Sequence, residues 1–273
     1  MDQIFSDGAV NARISGEGLP LVLFHSLLSD RASFDRIVPQ LAASYRVIVP
    51  ELPGFGASAA VEGGLPAVAD RMASFVREAA GENAIILGNG YGGFVALQMA
   101  IRHPGSAARL VLADCGAAFS EPGRETFRNM AAAARGKGLA ALTSVAMRRL
   151  FTPEYQESHP DLMREREAAF LRTDVAVFQA ACMALAGLDL RPDLSKVTVP
   201  VLVMVGDQDE ATPPPMSEEL SALLPDASLH VLQGCAHVPP LQAPEAFLEA
   251  VELFLRNGGK TGAMADAKAR AAR

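Results

Sequence analysis

The stretch that most constrains the fold runs from Ala84 to Pro104, AIILGNGYGGFVALQMAIRHP. It opens on an uncharged apolar run, Ala84-Ile85-Ile86-Leu87, which suits a buried central strand. Gly88, Asn89, Gly90, Tyr91, Gly92 and Gly93 follow. Then Phe94, Leu97 and Ile101 recur at helical spacing as far as His103, and Pro104 closes the pattern. A strand that turns directly into a helix must bend sharply, and the helix must lie close against its neighbours. Glycine permits both because it has no Cβ.

The rest of the chain repeats this alternation. Residues 3–6 and 9–14 read as a hairpin around the turn signal Asp7-Gly8. Strands are expected at 19–24, 45–49, 109–113, 199–205 and 228–232. Helices are expected at 33–41, 66–80, 215–224 and 244–256. From 117 to 191 the pattern is helical only, with segments at 128–135, 139–150, 160–172 and 175–185. The expected organisation is an α/β core over 1–116 and 192–257, with a helical cap over 117–191 inserted between its strands. The tail 258–273, rich in Gly and Ala, is expected to be disordered and outside the fold. Alternating elements of this length imply an α/β fold, a mostly parallel central sheet with helices on both faces.

Composition narrows the function. The formal net charge of −7 and the lack of a basic cluster with interleaved aromatics argue against a nucleic-acid partner. No apolar run approaches the roughly 20 residues that span a bilayer, so no membrane partner is expected. The first residues, MDQIFSDGAV, do not read as a signal peptide. Cys115, Cys182 and Cys235 are odd in number and widely spaced, which argues against a disulfide framework or a zinc site and for a reducing, cytoplasmic location. No cofactor or metal is expected, and the partner is a small-molecule substrate. Oligomeric state is left open, a homo-oligomer included.

In a parallel sheet functional groups collect beyond the carboxyl ends of the strands. His25, Gly90, Asp209 and His237 each fall just after an expected strand, so they are expected to line one site.

Five motifs in order resemble the α/β-hydrolase superfamily over roughly residues 1–257. His25-Ser26-Leu27 stands where the family has His-Gly-x. Leu52 to Ser58, LPGFGAS, matches a P-G-x-G-x-S loop. Gly88 to Gly93 matches the strand–turn–helix nucleophile elbow. Gly206-x-x-Asp209 and Gly234-x-x-His237 match the acid and histidine motifs. Within the superfamily the chain is most similar to 3-oxoadipate enol-lactonases, through Ser26-Leu27 and the segment from Leu171 to Pro214. It departs from them with His25 for Asn, Leu28 for Gly and Gly90 for the nucleophilic Ser.

The resemblance implies roles. His237 is the general base and Asp209 holds its tautomer, with Asp207 as the rival acid. The backbone N–H groups of Leu27 and Tyr91 form an oxyanion hole, which no side-chain change removes. His25 and Ser26 belong to the pocket, His25 weighing as structural and Ser26 as a minor candidate for a substitute nucleophile. Cys115 and Cys235 read as inert buried thiols. Arg148 or Arg149 of the cap is a candidate for a substrate carboxylate, against a solvated helix face.

Gly90 cannot form an acyl-enzyme. Three readings follow. The first is an impaired hydrolase of a small ester or lactone, with a carboxylate-bearing, enol-lactone-like substrate. The second needs no nucleophile at residue 90. There His237 activates a water in the space left by the missing side chain, or abstracts a substrate proton as a lyase or isomerase does. The third is a non-catalytic ligand-binding protein. Substrate identity is not legible, because specificity lies in cap side chains that the sequence does not position.

Overall fold

The computed structural model describes residues 2–6 and 8–258. Asp7 of the expected hairpin turn and residues 259–273 of the expected disordered tail lie outside the described residues.

Eight strands form one sheet: β1 (Asp2–Phe5), β2 (Val10–Ser15), β3 (Leu19–Phe24), β4 (Tyr45–Pro50), β5 (Ile85–Asn89), β6 (Arg109–Ala113), β7 (Val201–Gly206) and β8 (Ala227–Leu232). Their order is β1-β2-β4-β3-β5-β6-β7-β8. The β1/β2 and β2/β4 pairs are antiparallel and every later pair is parallel. Among the described residues the α-helices are α1 (Val38–Leu41), α2 (Gly64–Ala80), α3 (Tyr91–Arg102), α4 (Glu121–Lys137), α5 (Thr143–Leu150), α6 (Pro153–Ser158), α7 (Pro160–Leu171), α8 (Val175–Ala186), α9 (Pro214–Leu223), α10 (Pro239–Gln242) and α11 (Pro244–Arg256).

The central strands β3, β5, β6 and β7 are largely apolar because both faces are covered. Val22 and Phe24 of β3, Ile86 of β5, Leu110 and Leu112 of β6, and Val201 and Val203 of β7 share one buried cluster with residues of α2, α3 and α9. Their alternates, Leu21, Leu23, Ile85, Leu87, Val111, Leu202 and Met204, pack with Phe247, Val251 and Phe254 of α11. Each such side chain, fully buried, contributes about 1.5–3 kcal/mol relative to exposure. The two-residue period sets the register, since a slip by one residue would exchange the two faces.

Between β6 and β7 the chain is helical from α4 to α8. The ends of this insert are held together at its base. An antiparallel bridge pairs Ala118 with Asp189, and Leu190 N–H donates to the Ala117 carbonyl at 2.8 Å. Arg124 donates to the carbonyls of Phe119, Ala186 and Leu188 across the same junction.

Two expected helices are divided. The segment expected at 33–41 is a 3-10 turn, Arg31–Phe34, followed by α1. Pro39 has no N–H for an i−4 bond and fits only the first turn of a new helix. The segment expected at 139–150 begins as a 3-10 turn, Leu139–Leu142, before α5. The short helices α6 and α10 escaped the sequence reading, since one turn leaves no period to detect. No single helix among the described residues is long and apolar enough to cross a membrane.

Candidate active site

The site is built where five strands end. β5 runs into Gly90, which has φ +54° and ψ −119° and precedes α3. Most side chains are strained at positive φ, so glycine takes this turn at little cost. The turn also requires close approach. A Cβ at Gly88 would run into the backbone of Gly92, and one at Gly92 into the carbonyl of Phe24 at the end of β3. The N-terminus of α3 is thereby pressed against the segment His25-Ser26-Leu27.

Opposite Gly90 stand the residues that follow β7 and β8. His237 Nδ1 lies 2.8 Å from Asp209 Oδ2, and both residues are nearly inaccessible to solvent. Asp209 Oδ2 also accepts from Thr212 Oγ1 at 2.7 Å, while its Oδ1 accepts from the N–H groups of Ala211 and Thr212 at 2.7 and 3.1 Å. Burial works to raise the Asp209 carboxyl, but the imidazole and the Thr212 donors outweigh it and hold the group below the usual carboxylate value. A carboxylate so held fixes the Nδ1–H tautomer and leaves Nε2 as an acceptor. That nitrogen has no partner among the described residues and faces Gly90, since a Cβ built there would lie 2.8 Å from it. Asp207, the rival acid, is turned away. Its Oδ1 accepts from the N–H groups of Gly234 and Cys235 and so braces the loop that carries His237.

The N–H groups of Leu27 and Tyr91 find no acceptor among the described residues, and both residues border the cavity. Tyr91 opens α3, where the first N–H groups have no intrahelical partner. Leu27, Tyr91 and His237 border one cavity.

Ser26 narrows that space, because a Cβ at Gly90 would collide with Ser26 Oγ and lie 3.0 Å from Ser26 Cβ. One expectation, that His25 belongs to the pocket, is corrected. His25 does not line the cavity, because both ring nitrogens are committed to the backbone. Nδ1 pairs with the Ser26 carbonyl at 3.0 Å and Nε2 accepts from Leu52 N–H at 3.1 Å. The ring packs edge-on against Phe55. Burial lowers its basicity and keeps it neutral. It ties the end of β3 to the Leu52–Ser58 loop.

Three further residues were not singled out from sequence. Asp114, just beyond β6, accepts from Gly206 N–H and Asn89 Nδ2, each at 3.0 Å. Asn89 Nδ2 also donates to the His237 carbonyl at 3.0 Å. Thr212 supports Asp209 as described. The rule that placed His25 and Asp209 at strand ends would also have found Asp114. Burial, then the nearby Asp209 charge, pushes the Asp114 carboxyl well above its ordinary value. Asp114, Asp209 and His237 are close enough to suggest a cation site. Their donor atoms, however, are already turned to one another and to backbone N–H groups, a poor arrangement for a metal.

The cavity wall is largely apolar, with Leu28, Phe94, Phe119 and Phe127 among its residues. Arg149 of α5 is the exception. Its guanidinium lies 5.6 Å from the centre of the Phe127 ring, its Nη2 is 3.4 Å from the Ala211 carbonyl, and it has no carboxylate partner among the described residues. Arg148 is exposed on the same helix. The three cysteines are buried and unpaired. Burial pushes the Cys182 thiol up to about 12 and those of Cys115 and Cys235 higher still, which leaves them unreactive.

Residues 21–250 match the sequence profile of the alpha/beta hydrolase family. The chain is 32% identical over 250 residues to the pimeloyl-acyl-carrier-protein methyl ester esterase of Neisseria meningitidis, covering 86% of this chain and 92% of that protein. It is 26% identical over 256 residues to 3-oxoadipate enol-lactonase 2 of Acinetobacter baylyi, covering 92% and 94%. Among solved structures it is similar to the enol-lactonase of Burkholderia xenovorans, with a TM-score of 0.85 at 28% identity over 90% of this chain and 96% of that one. A thermophilic esterase of Thermogutta terrifontis gives a TM-score of 0.83 at 27% identity, over 92% and 94%.

Proposed function

The chain belongs to the α/β-hydrolase family, and on that premise we propose that it hydrolyses a small ester or lactone bearing a carboxylate, with His237 as general base. The observation that carries this reading is the His237–Asp209 pair, whose free Nε2 shares a cavity with Leu27 and Tyr91, two residues with unsatisfied backbone N–H groups. A base held 2.8 Å from a buried carboxylate stabilises the imidazolium that forms when it takes a proton. The N–H groups of Leu27 and Tyr91 are suited to the oxygen that becomes negative as the carbonyl is attacked. The attacking oxygen is not supplied by residue 90. An esterase and a lactonase among the relatives support the bond type.

Arg149 supports the carboxylate. A guanidinium at an apolar wall without an anionic partner gains a strong charge-assisted pairing when the ligand brings one. The test compares hydrolysis of matched small esters and lactones, with and without a carboxylate. His237→Ala is expected to lower kcat by at least about a hundredfold. Arg149→Ala is expected to raise KM about tenfold or more for the carboxylate-bearing compounds only. Tight binding of these compounds with no product from the native protein would refute hydrolysis. Deuterium uptake into the substrate without cleavage would indicate a lyase or isomerase instead.

A further inference from the structure

We propose that Ser26 is the covalent nucleophile of this site, displaced from the elbow to the end of β3. This rests on the hydrolytic reading above and names the oxygen that His237 activates. Two aliphatic hydroxyls border the cavity, those of Ser26 and Thr212. Thr212 Oγ1 donates to Asp209 Oδ2 at 2.7 Å, on the Nδ1 side of the imidazole, and is unavailable for attack. The Ser26 hydroxyl lies on the Nε2 side. It has no hydrogen-bond partner among the described residues, although Ser26 is 2% exposed.

Both Ser26 Oγ and His237 Nε2 crowd the point where a Cβ of residue 90 would stand. Ser26 thus brings a hydroxyl up to the point where the side chain of residue 90 would begin, and His237 Nε2 borders the same point. Its backbone is fixed, because the Ser26 carbonyl accepts from Ser29 N–H at 3.3 Å and pairs with His25 Nδ1 at 3.0 Å. The next N–H along the chain is that of Leu27, which has no acceptor and borders the cavity. Nucleophile and oxyanion donor are then adjacent in sequence. A serine at residue 90 would have the same relation to Tyr91.

The chemistry balances without a co-reactant. Ser26 Oγ bonds to the substrate carbonyl carbon as its proton passes to His237 Nε2, and the π pair moves onto the carbonyl oxygen beside the Leu27 and Tyr91 N–H groups. When that oxygen re-forms the double bond, the C–O bond to the leaving group breaks, and the leaving oxygen takes the proton from Nε2. In a lactone the leaving alcohol stays tethered to the acyl group. Water then attacks the Ser26 ester, again losing its proton to Nε2, and releases the acid and the free serine.

The test uses the whole protein and a fluorophosphonate, read by intact mass and by tryptic peptides. Residue 26 falls in the peptide 14–31 and residue 90 in 78–102. The expected result is one adduct per chain on Ser26, formed at least about a hundredfold more slowly in His237→Ala and absent in Ser26→Ala. Ser26→Ala removes no hydrogen bond, so its fold should be kept, which circular dichroism checks. In Ser26→Ala/Gly90→Ser the adduct should move to 78–102, because the collision with Ser26 Oγ is gone. Ester hydrolysis that depends on His237 but survives Ser26→Ala, with no adduct on Ser26, would overturn the proposal and leave the hydrolase reading standing. An adduct on Ser26 without turnover of any ester would leave the nucleophile standing and remove that reading.

Discussion

At residue 114 the backbone and the charge make the same demand. Asp114 has φ +53°, a left-handed conformation that Asp and Asn tolerate better than most residues. Its carboxyl is raised first by burial and then by Asp209. The folded protein therefore keeps a proton that the unfolded chain releases above its ordinary value of 3.8. The stability linked to that proton is fully present below this value and is lost as pH rises toward the raised folded value. Asp114→Asn is neutral at every pH, fits the same φ and removes the slope. Denaturant unfolding between about pH 5 and pH 8 should show the variant gaining on the native protein as pH rises, by no more than about 1.4 kcal/mol per pH unit. A constant difference across that range would mean that Asp114 is ionised in the folded state. Asp209 has the opposite sign. Its lowered value supports the fold above the ordinary carboxylate range and withdraws that support as pH falls.

At the scale of elements, glycines in neighbouring helices make opposite demands. Gly92 in α3 meets the end of β3, and a Cβ there would overlap the Phe24 carbonyl. Gly92→Ala should force strand and helix apart, with a loss of about 3 kcal/mol or more in chemical denaturation. Gly136 in α4 has ordinary helical φ and open space around its would-be Cβ. Gly136→Ala should add about 0.5–1 kcal/mol by the same measurement, because the unfolded chain loses conformational freedom. The alternation of strand and helix was legible from hydrophobic period alone, down to the bounds of β3, β6 and α11. The division near Pro39 and the single turns α6 and α10 were less so, since a period needs several turns to be seen.

For the whole molecule, the helical insert is fastened to the core beside the site. Asp30 follows the Ser26–Leu28 segment by two residues and receives Arg166 of α7 at 2.8 Å and Arg172 at 3.0 Å. The Arg166 side chain is 3% exposed, and its Nε has no partner among the described residues. His237 N–H donates to the Leu150 carbonyl at 3.2 Å, so the histidine loop is tied to α5 as well. Asp30→Ala would leave Arg166 with the exposed Glu165 carboxylate, 2.6 Å from Nη2, in place of two carboxylates, a loss on the order of 2 kcal/mol. Hydrogen exchange should rise in α7 ahead of the β-sheet. Uniform exchange across both would show that the insert and core open together.

The sequence by itself determined the α/β architecture and which strand ends carry Gly90, Asp209 and His237. Periodicity and strand-end position are local properties, written in the order of residues. It also determined that residue 90 has no nucleophile. Only the tertiary structure decided what stands in that place. Ser26 and Gly90 follow β3 and β5, which neighbour each other in the sheet but are separated by β4 and α2 in the chain. The same holds for Arg149, whose position at the cavity wall depends on how α5 docks over the core. The Asp114 carboxyl is raised by burial and then by its nearness to Asp209. Such relations depend on separation in space and on the exclusion of water, and neither is written in the local pattern.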